Sequence, residues 1–210
     1  MTLSIKAPKL DSLFMNRRNL QTFLFAFFSF LLVLHVIFFG QAKDAALKGG
    51  AGLSSFYSAV KMVQSGQGSQ LYDIAAKGRY QAKLFPDVTT RNGTLIFLHP
   101  PFEALLYLPL AYVSYPAAYA IWAIANLLLL LLTVALLSPY MKGLEALWRP
   151  LPLLMFLGFF PVFISLLQGQ DSIWLLFIFA LTFDSLKKGH ALRGGVFLGL
   201  GLFKFQYTLP

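Results

Sequence analysis

Three short polar clusters interrupt the apolar segments of this chain, and their side chains could bind and transfer a polar group. They are His99-Pro-Pro-Phe102, Gln168-Gly-Gln-Asp-Ser172 and Phe203-Lys-Phe-Gln206. Imidazole and carboxylate groups can exchange protons, amides can hydrogen-bond to hydroxyls, and an ammonium can hold a phosphate. Polar side chains at membrane depth are costly, and where they persist they usually mark a site. We therefore expect the three clusters to meet in an active site.

Each cluster also has a purely structural explanation. Asp171 can cap the N-terminus of the next helix, and the prolines after His99 can start one. The Lys204 and Gln206 side chains can extend to the membrane surface. These explanations do not account for Glu103, a carboxylate directly after the first cluster that needs a partner at this depth. The partner could be Lys204 or a substrate.

The composition indicates a helical membrane protein. The chain is 58% hydrophobic and 12% charged, with 22 phenylalanines, whereas soluble domains carry roughly 25% charged residues. There is no cysteine, which excludes disulfides, thiolate catalysis and cysteine-based metal sites. The net charge is +9, and most of the basic residues flank apolar segments, where such residues orient a chain in a bilayer. We expect an all-α polytopic membrane protein with no nucleic-acid partner.

The first apolar run, residues 22–40, is predicted to anchor the chain in the membrane. It follows four basic residues, which places residues 1–21 in the cytoplasm. A cleaved signal peptide is the alternative, but its apolar core normally spans about 7–15 residues and this run is longer.

Residues 95–113 are apolar but contain Glu103 and three prolines, so their path through the membrane is a separate question. If this segment crossed the bilayer, the five basic residues of the later short loops would face outward. If it does not cross, they join the four N-terminal ones in the cytoplasm, as the positive-inside rule favours. We therefore predict a re-entrant or interfacial helix over residues 99–116. The five residues are Lys142, Arg149, Lys187, Lys188 and Arg193.

The remaining segments complete the predicted topology. Residues 41–98 form an extracytoplasmic helical loop, with one helix capped by Ser54 or Ser55 and a second capped by Asp73 that ends near Phe85, before Pro86. The predicted later spans are 117–137, 151–167, 173–186 and 194–210. The last segment is still apolar at its end, so we expect the natural gene product to contain further spans.

Five motifs, in this order, resemble those of a known family, and no one of them is decisive alone. They are Ser55-Phe-Tyr-Ser-Ala59, Gly66 to Asp73, His99-Pro-Pro-Phe-Glu-Ala-Leu105, Gln168-Gly-Gln-Asp-Ser172 and Gly201-Leu-Phe-Lys-Phe-Gln206. Together they resemble glycosyltransferase family 87, which includes polyprenol-phosphate-mannose-dependent mannosyltransferases. The resemblance extends over about residues 20–210, the N-terminal half of a typical member.

The resemblance implies a GT-C-like helical bundle with its active site on the extracytoplasmic side of the plasma (inner) membrane. The implied donor is a polyprenyl-phosphate hexose, with mannose the expected sugar. Transfer to a glycolipid or glycan acceptor would invert the anomeric carbon, with no cofactor and no obligatory metal. We expect His99 and Lys204 near the donor phosphate and Gln168 and Gln170 near sugar hydroxyls. Tyr57 and Gln206 complete the expected substrate-binding residues.

The identity of the general base is open. The family usually carries an aspartate at the start of a frame that here reads Gly52-Leu-Ser-Ser-Phe-Tyr57, so Gly52 replaces the expected acid. Either another carboxylate takes the role, or the alignment shifts, or this copy is inactive. The candidate carboxylates are Glu103 and Asp171, with Asp44 as a third. The alternatives to an active enzyme are a non-catalytic protein that binds lipid-linked sugar and a transporter or flippase.

Overall fold

The computed structural model describes residues 16–88 and 93–208. The chain is about 81% helical and has no strand in these ranges, which confirms the predicted all-α membrane class. Residues 1–15 of the predicted cytoplasmic segment lie outside the described residues, as do the last two of the predicted final span. The helices are α1 (Arg17–Ala45), α2 (Leu53–Gln64), α3 (Ile74–Leu84), α4 (Pro101–Leu106), α5 (Tyr115–Leu137), α6 (Lys142–Leu147), α7 (Leu151–Gly158), α8 (Phe160–Gln168), α9 (Ser172–Lys187), α10 (Ala191–Leu200) and α11 (Phe205–Thr208).

Within residues 16–88 and 93–208, two helical stretches are long and apolar enough to cross a membrane. They are Arg17–Gln64, which is interrupted at Gly49, and Tyr115–Tyr140. A third exists if α7 and α8, which meet at 59°, form one broken span. Large apolar side chains of α1 and α5 are exposed, as contact with lipid requires. The apolar helices thus indicate a membrane protein.

The predicted single span 151–167 is two helices in the structure. The break falls at Phe159, whose ψ of 110° is extended, and Pro161 lies in the first turn of α8. Proline lacks an N–H and its ring clashes with the carbonyl four residues earlier, so it cannot continue α7. Gly158 fits against the Phe28 ring of α1, where an added Cβ would lie 2.8 Å from the ring. This contact holds the bend against the first helix.

The last two predicted spans also differ from the structure. α9 covers the predicted segment 173–186 but has 16 residues, fewer than the roughly 20 of a typical spanning helix. The predicted span 194–210 is α10 followed by a 3₁₀ turn at Gly201–Lys204 and the short α11. The 3₁₀ turn places the Lys204 ammonium against the start of α9.

A polar layer formed by α2, α3 and α4 packs on one end of the bundle. The predicted cap of α3 is confirmed, because the Asp73 carboxylate accepts from the backbone N–H groups of Ala75 and Ala76. α2 starts differently from the prediction: Gly52 is its N-cap, and the Ser54 hydroxyl donates to the Ala51 carbonyl oxygen. This start brings the first turn of α2 against the loop between α8 and α9.

The basic residues at the start of α1 and in the short loops after α5 and α9 lie at the opposite end of the bundle, which we call the basic end, while α2 and α3 carry others such as Lys61, Arg79 and Lys83. The Arg17 guanidinium at the start of α1 donates to the Ala146 carbonyl of α6 at 2.5 Å. At the ends of α5 and α9, Asp184 accepts from the Tyr140 hydroxyl and pairs with Lys188 at 2.8 Å. The bundle therefore has one basic end and one end that carries the polar layer.

Candidate active site

Members of all three polar clusters meet in the folded chain. The His99 Nδ1 atom lies 2.7 Å from Glu103 Oε2 and 4.0 Å from Asp171 Oδ2. The Lys204 Nζ atom lies 2.5 Å from Asp171 Oδ1 and donates to the Ser172 hydroxyl at 3.1 Å. An imidazole, two carboxylates and an ammonium thus form one continuous group.

The polar layer fixes the position of His99. The Phe56 ring of α2 lies 4.7 Å from the imidazole between ring centroids. The Tyr72 hydroxyl donates to the His99 carbonyl oxygen at 2.6 Å. Pro101 starts α4, and His99 and Glu103, four residues apart, meet across its first turn. The imidazole keeps 24% side-chain exposure, so a second molecule can reach it.

Glu103 is fully buried behind His99, outside the spanning helices. Burial raises the pKa of Glu103, and the nearby His99 only partly offsets this effect. A carboxylate without water is more stable when protonated or when a cation faces it. With His99 neutral, the group of four carries two negative charges and one positive charge. It is therefore an attractive environment for one additional positive charge, whether a proton on the imidazole or a bound ion.

The turn that carries Asp171 is held by two aromatic side chains of α5. The Tyr119 hydroxyl donates to the Leu167 carbonyl at 2.6 Å, and the Trp122 indole N–H donates to the Gly169 carbonyl at 3.0 Å. Asp171 occupies the N-cap position of α9 but accepts no capping hydrogen bond there. Its carboxylate faces Lys204 and His99 instead. The structure therefore does not support the simple capping interpretation of Asp171.

Gly52, the position where an acid was expected, lies against the same turn. Its N–H donates to the Gln168 side-chain oxygen at 2.9 Å. A Cβ at Gly52 would lie 2.5 Å from the Gln170 side-chain nitrogen. Gln168 therefore joins the polar layer to the turn, while the Gln170 amide covers the face where a side chain at position 52 would project.

Two predicted substrate-binding residues are not in this group. The Tyr57 hydroxyl donates to the Val113 carbonyl at 2.8 Å, and its ring packs against Tyr115. Gln206 lies in α11 with an exposed side chain that forms no hydrogen bond to any part of the chain that the structure describes. Tyr57 supports the packing of the polar layer, and Gln206 faces away from the contacts made by Lys204.

Sequence reasoning missed the face of α5 that supports the site. Four of its buried polar or aromatic residues lie at intervals of four, three and four, which places them on one side of a helix. This spacing within an apolar span was the available signal, because polar and aromatic groups seldom align there without a partner. The residues are Tyr115, Tyr119, Trp122 and Asn126.

Gly169 is required by the turn, which gives a testable prediction. Its φ of 63° is left-handed, and an added Cβ would lie 2.7 Å from Leu53 Cβ. We expect Gly169→Ala to lower stability by about 1–2 kcal/mol for the backbone alone, with a further loss from the contact. A lower midpoint of heat unfolding in detergent would show this. Gly195→Ala, in open space on α10, is the control and should not lower the midpoint.

Comparison with known proteins defines the class. The family model for glycosyltransferase family 87 matches residues 97–210, more than half of the chain. The chain belongs to glycosyltransferase family 87 and is thus a glycosyltransferase. The match includes the His99, Gln168 and Gly201 motifs, whereas the Ser55 and Gly66 motifs and Gly52 lie before it. Comparison with curated proteins and with solved structures gives no significant match.

Proposed function

We propose that this glycosyltransferase transfers a hexose, with mannose the expected sugar, from a polyprenyl-phosphate donor to an extracytoplasmic glycolipid or glycan. The observation that carries the proposal is the contact of Lys204 with Asp171, beside the His99–Glu103 pair. An ammonium is suited to a lipid phosphate, and an imidazole held by a carboxylate is suited to proton transfer. Both functions are needed when a sugar leaves a phosphate for a hydroxyl.

The proposed reaction is a single displacement with inversion. The acceptor hydroxyl oxygen attacks the anomeric carbon, and the bond from that carbon to the phosphate oxygen breaks with its electron pair. His99 takes the hydroxyl proton, while Glu103 orients the ring through Nδ1. Lys204 stabilises the charge on the leaving polyprenyl phosphate. The donor carries its own leaving group, so the reaction includes no cofactor and no obligatory metal.

The proposed base is thus His99, which was expected near the donor phosphate, and the surroundings of Glu103 and Asp171 favour it over these two carboxylates. Asp171 Oδ1 is in contact with the Lys204 ammonium at 2.5 Å, so this oxygen is already occupied by an ion-pair partner. The Glu103 side chain has no exposed surface through which an acceptor could reach it. His99 contacts Glu103 and keeps an exposed edge, the arrangement in which a carboxylate orients an imidazole base. Glu103 is then a positioning residue, and Asp171 positions Lys204.

We further propose that the basic end of the bundle faces the cytoplasm of the plasma membrane. The basic residues near the start of α1, around α6 and between α9 and α10 support this orientation, because such residues are retained on the cytoplasmic side. The site at the other end then faces the extracytoplasmic surface, where the polyprenyl phosphate headgroup and the acceptor can meet. Labelling of Gln67→Cys, at an exposed position, by a membrane-impermeant thiol reagent added to intact cells tests the orientation, and absence of labelling would contradict it.

The deciding experiment measures transfer from a labelled polyprenyl-phosphate mannose in membranes that contain the native protein, Gly52→Asp or Gly52→Ala. We expect the native protein to transfer the sugar. Both substitutions displace the Gln170 amide, so Gly52→Ala controls for added volume without a carboxylate. Transfer by Gly52→Asp alone would favour a native protein that binds the donor without turnover. No transfer by any of the three would contradict the proposed donor class.

The two glutamines of the turn give separable predictions. The Gln170 amide forms no hydrogen bond within the described residues, so it is available to a sugar hydroxyl, whereas Gln168 binds the Gly52 N–H. We expect Gln170→Ala to raise the donor KM about 2- to 10-fold, the effect of one hydrogen bond, with an unchanged unfolding midpoint. Gln168→Ala should instead lower the midpoint. An unchanged KM in Gln170→Ala would remove that residue from the site.

A further inference from the structure

The group around His99 also has the composition of a metal site. The His99 imidazole and the carboxylates of Glu103 and Asp171 each offer one ligand atom, and these atoms lie within 4.8 Å of one another. Glu103 and Asp171 are both buried. Three ligands from one histidine and two carboxylates can hold a divalent cation and leave a position open.

A second observation points to a missing positive charge at this place. The Tyr107 hydroxyl and the Oε1 atom of Glu103 are buried without a hydrogen-bond partner in residues 16–88 and 93–208, whereas Glu103 Oε2 faces His99 Nδ1 at 2.7 Å. The Phe56 ring lies 4.5 Å from the Tyr107 ring and 4.7 Å from the His99 imidazole, measured between ring centroids, so Tyr107 belongs to the same packed group. Native proteins seldom leave buried polar atoms without a partner, and a bound ion is one accepted explanation.

The existing cations do not complete the group. Lys204 lies on Asp171 Oδ1, and the nitrogen that faces Glu103 Oε2 and Asp171 Oδ2 is His99 Nδ1, at 2.7 Å and 4.0 Å. The 2.7 Å between His99 Nδ1 and Glu103 Oε2 is a hydrogen-bond separation, and a metal ion with bonds of about 2.0–2.1 Å would move the two atoms apart to roughly 3.3 Å. A dication would replace the proton and offset the excess negative charge of the two carboxylates.

We propose that His99, Glu103 and Asp171 bind one divalent transition-metal ion of the Zn²⁺ type. Imidazole nitrogen favours such ions over Mg²⁺ and Ca²⁺, which take oxygen ligands. The ion coordinates Nδ1 of His99 and one oxygen from each carboxylate, and binding releases the proton held between His99 and Glu103.

Metal binding has a consequence that rests on the proposed function. An imidazole with a dication on Nδ1 is a much weaker base at its other nitrogen, and Asp171 is drawn from Lys204. Zn²⁺ therefore inhibits sugar transfer, and a chelator restores it. The site acts as a point of inhibition, which agrees with a transfer reaction that needs no metal.

Calorimetric titration of the chelator-treated, detergent-purified chain with Zn²⁺ tests the site directly. We expect one equivalent to bind, with affinity reduced at least 10-fold in Glu103→Gln and in His99→Asn. Asp184→Asn is the matched control, because Asp184 is a buried carboxylate at the opposite end of the bundle. The Zn²⁺ affinity of this variant should equal that of the native chain. Equal Zn²⁺ affinity in the native chain and Glu103→Gln would overturn the proposal, as would equal loss in Asp184→Asn.

Lys204→Met should change the Zn²⁺ affinity in the opposite direction from the ligand variants. The lysine competes for Asp171, so its removal should tighten Zn²⁺ binding several-fold, and Zn²⁺ should raise the unfolding midpoint of this variant more than that of the native chain. Weaker binding in Lys204→Met would contradict the ligand assignment. If Zn²⁺ binds as expected and no variant transfers sugar, the metal site stands and the proposed function fails. Transfer that Zn²⁺ does not affect would remove the inhibitory role alone.

Discussion

His99→Asn is expected to lower the rate of sugar transfer by about 10²- to 10⁴-fold, the range for loss of a general base. The asparagine amide can still donate to Glu103 from nearly the position of Nδ1, so the packing against Phe56 and the first turn of α4 are kept. What is lost is the second ring nitrogen, which takes the acceptor proton. The measurement is the initial rate with labelled donor, together with donor binding, which should change little.

Two further variants make the His99 prediction specific. Glu103→Gln keeps the shape of the side chain but removes the charge that orients the imidazole, so it should lower transfer and change its pH profile while donor binding remains. His190→Asn replaces an exposed histidine at the basic end and should have no effect. If His99→Asn kept a third or more of the native rate, the base would be another residue and the His99–Glu103 pair would have a structural role.

The sequence predicted the elements whose signals are local. α1 and α5 follow from long apolar runs, and α1 from basic residues before it. α3 follows from Asp73, whose carboxylate caps it, and from Pro86 beyond its end. The count of basic residues on the loops predicted which segments cross the membrane, and that topology puts the His99, Gln168 and Lys204 clusters on the same face.

The features that sequence reasoning missed depend on contacts between distant segments. Proline is tolerated in spanning helices when neighbours satisfy the backbone, so Pro161 alone does not distinguish a kink from a break. The contact of Gly158 with Phe28 accompanies the break, and it joins residues 130 positions apart. An aspartate directly before a helix is expected both when it caps that helix and when it pairs with a distant cation. The sequence around Asp171 therefore could not show that Lys204, 33 residues later, would contact it.

Gly52 stands where the family resemblance predicts an acid. In the structure, Gly52 at the start of α2 contacts Gln168 and Gln170, in the turn that also carries Asp171. An acid at position 52 would therefore project toward the predicted site. The Gln170 amide occupies that face in this chain, while the His99 side chain keeps 24% exposure.

Lys77 is the second residue with a large expected effect. It lies in α3 with 1% exposure, and its ammonium donates to the carbonyl and hydroxyl of Ser55 and lies 4.8 Å from the Phe97 ring centroid. Its contacts link α3 to α2, next to Phe56, which packs on His99. No carboxylate within the described residues pairs with it. Burial lowers the pKa of Lys77 to about 7.

The direction in which stability changes with pH follows from this lowered pKa of Lys77. The unfolded chain holds the proton up to about pH 10.5, whereas the folded chain releases it near pH 7. The burial cost of the charge is therefore fully present below pH 7, and the free energy of unfolding rises between pH 7 and about 10.5. A pKa difference of this size corresponds to roughly 5 kcal/mol, and the contacts with Ser55 and Phe97 are already part of that balance.

We expect Lys77→Met to raise the free energy of unfolding by about 1–3 kcal/mol at pH 6–7, because a methionine of similar length fills the site without a buried charge. The gain should decrease steadily toward pH 10, where the native lysine is neutral in the folded chain. Scanning calorimetry in detergent across this pH range measures both. Lys83→Met, at an exposed position on the same helix, should show neither the gain nor its pH dependence. A Lys77→Met variant that is less stable at every pH would mean that the contacts with Ser55 and Phe97 outweigh the burial of the charge, and that α2 and α3 need this ammonium to hold His99 in place.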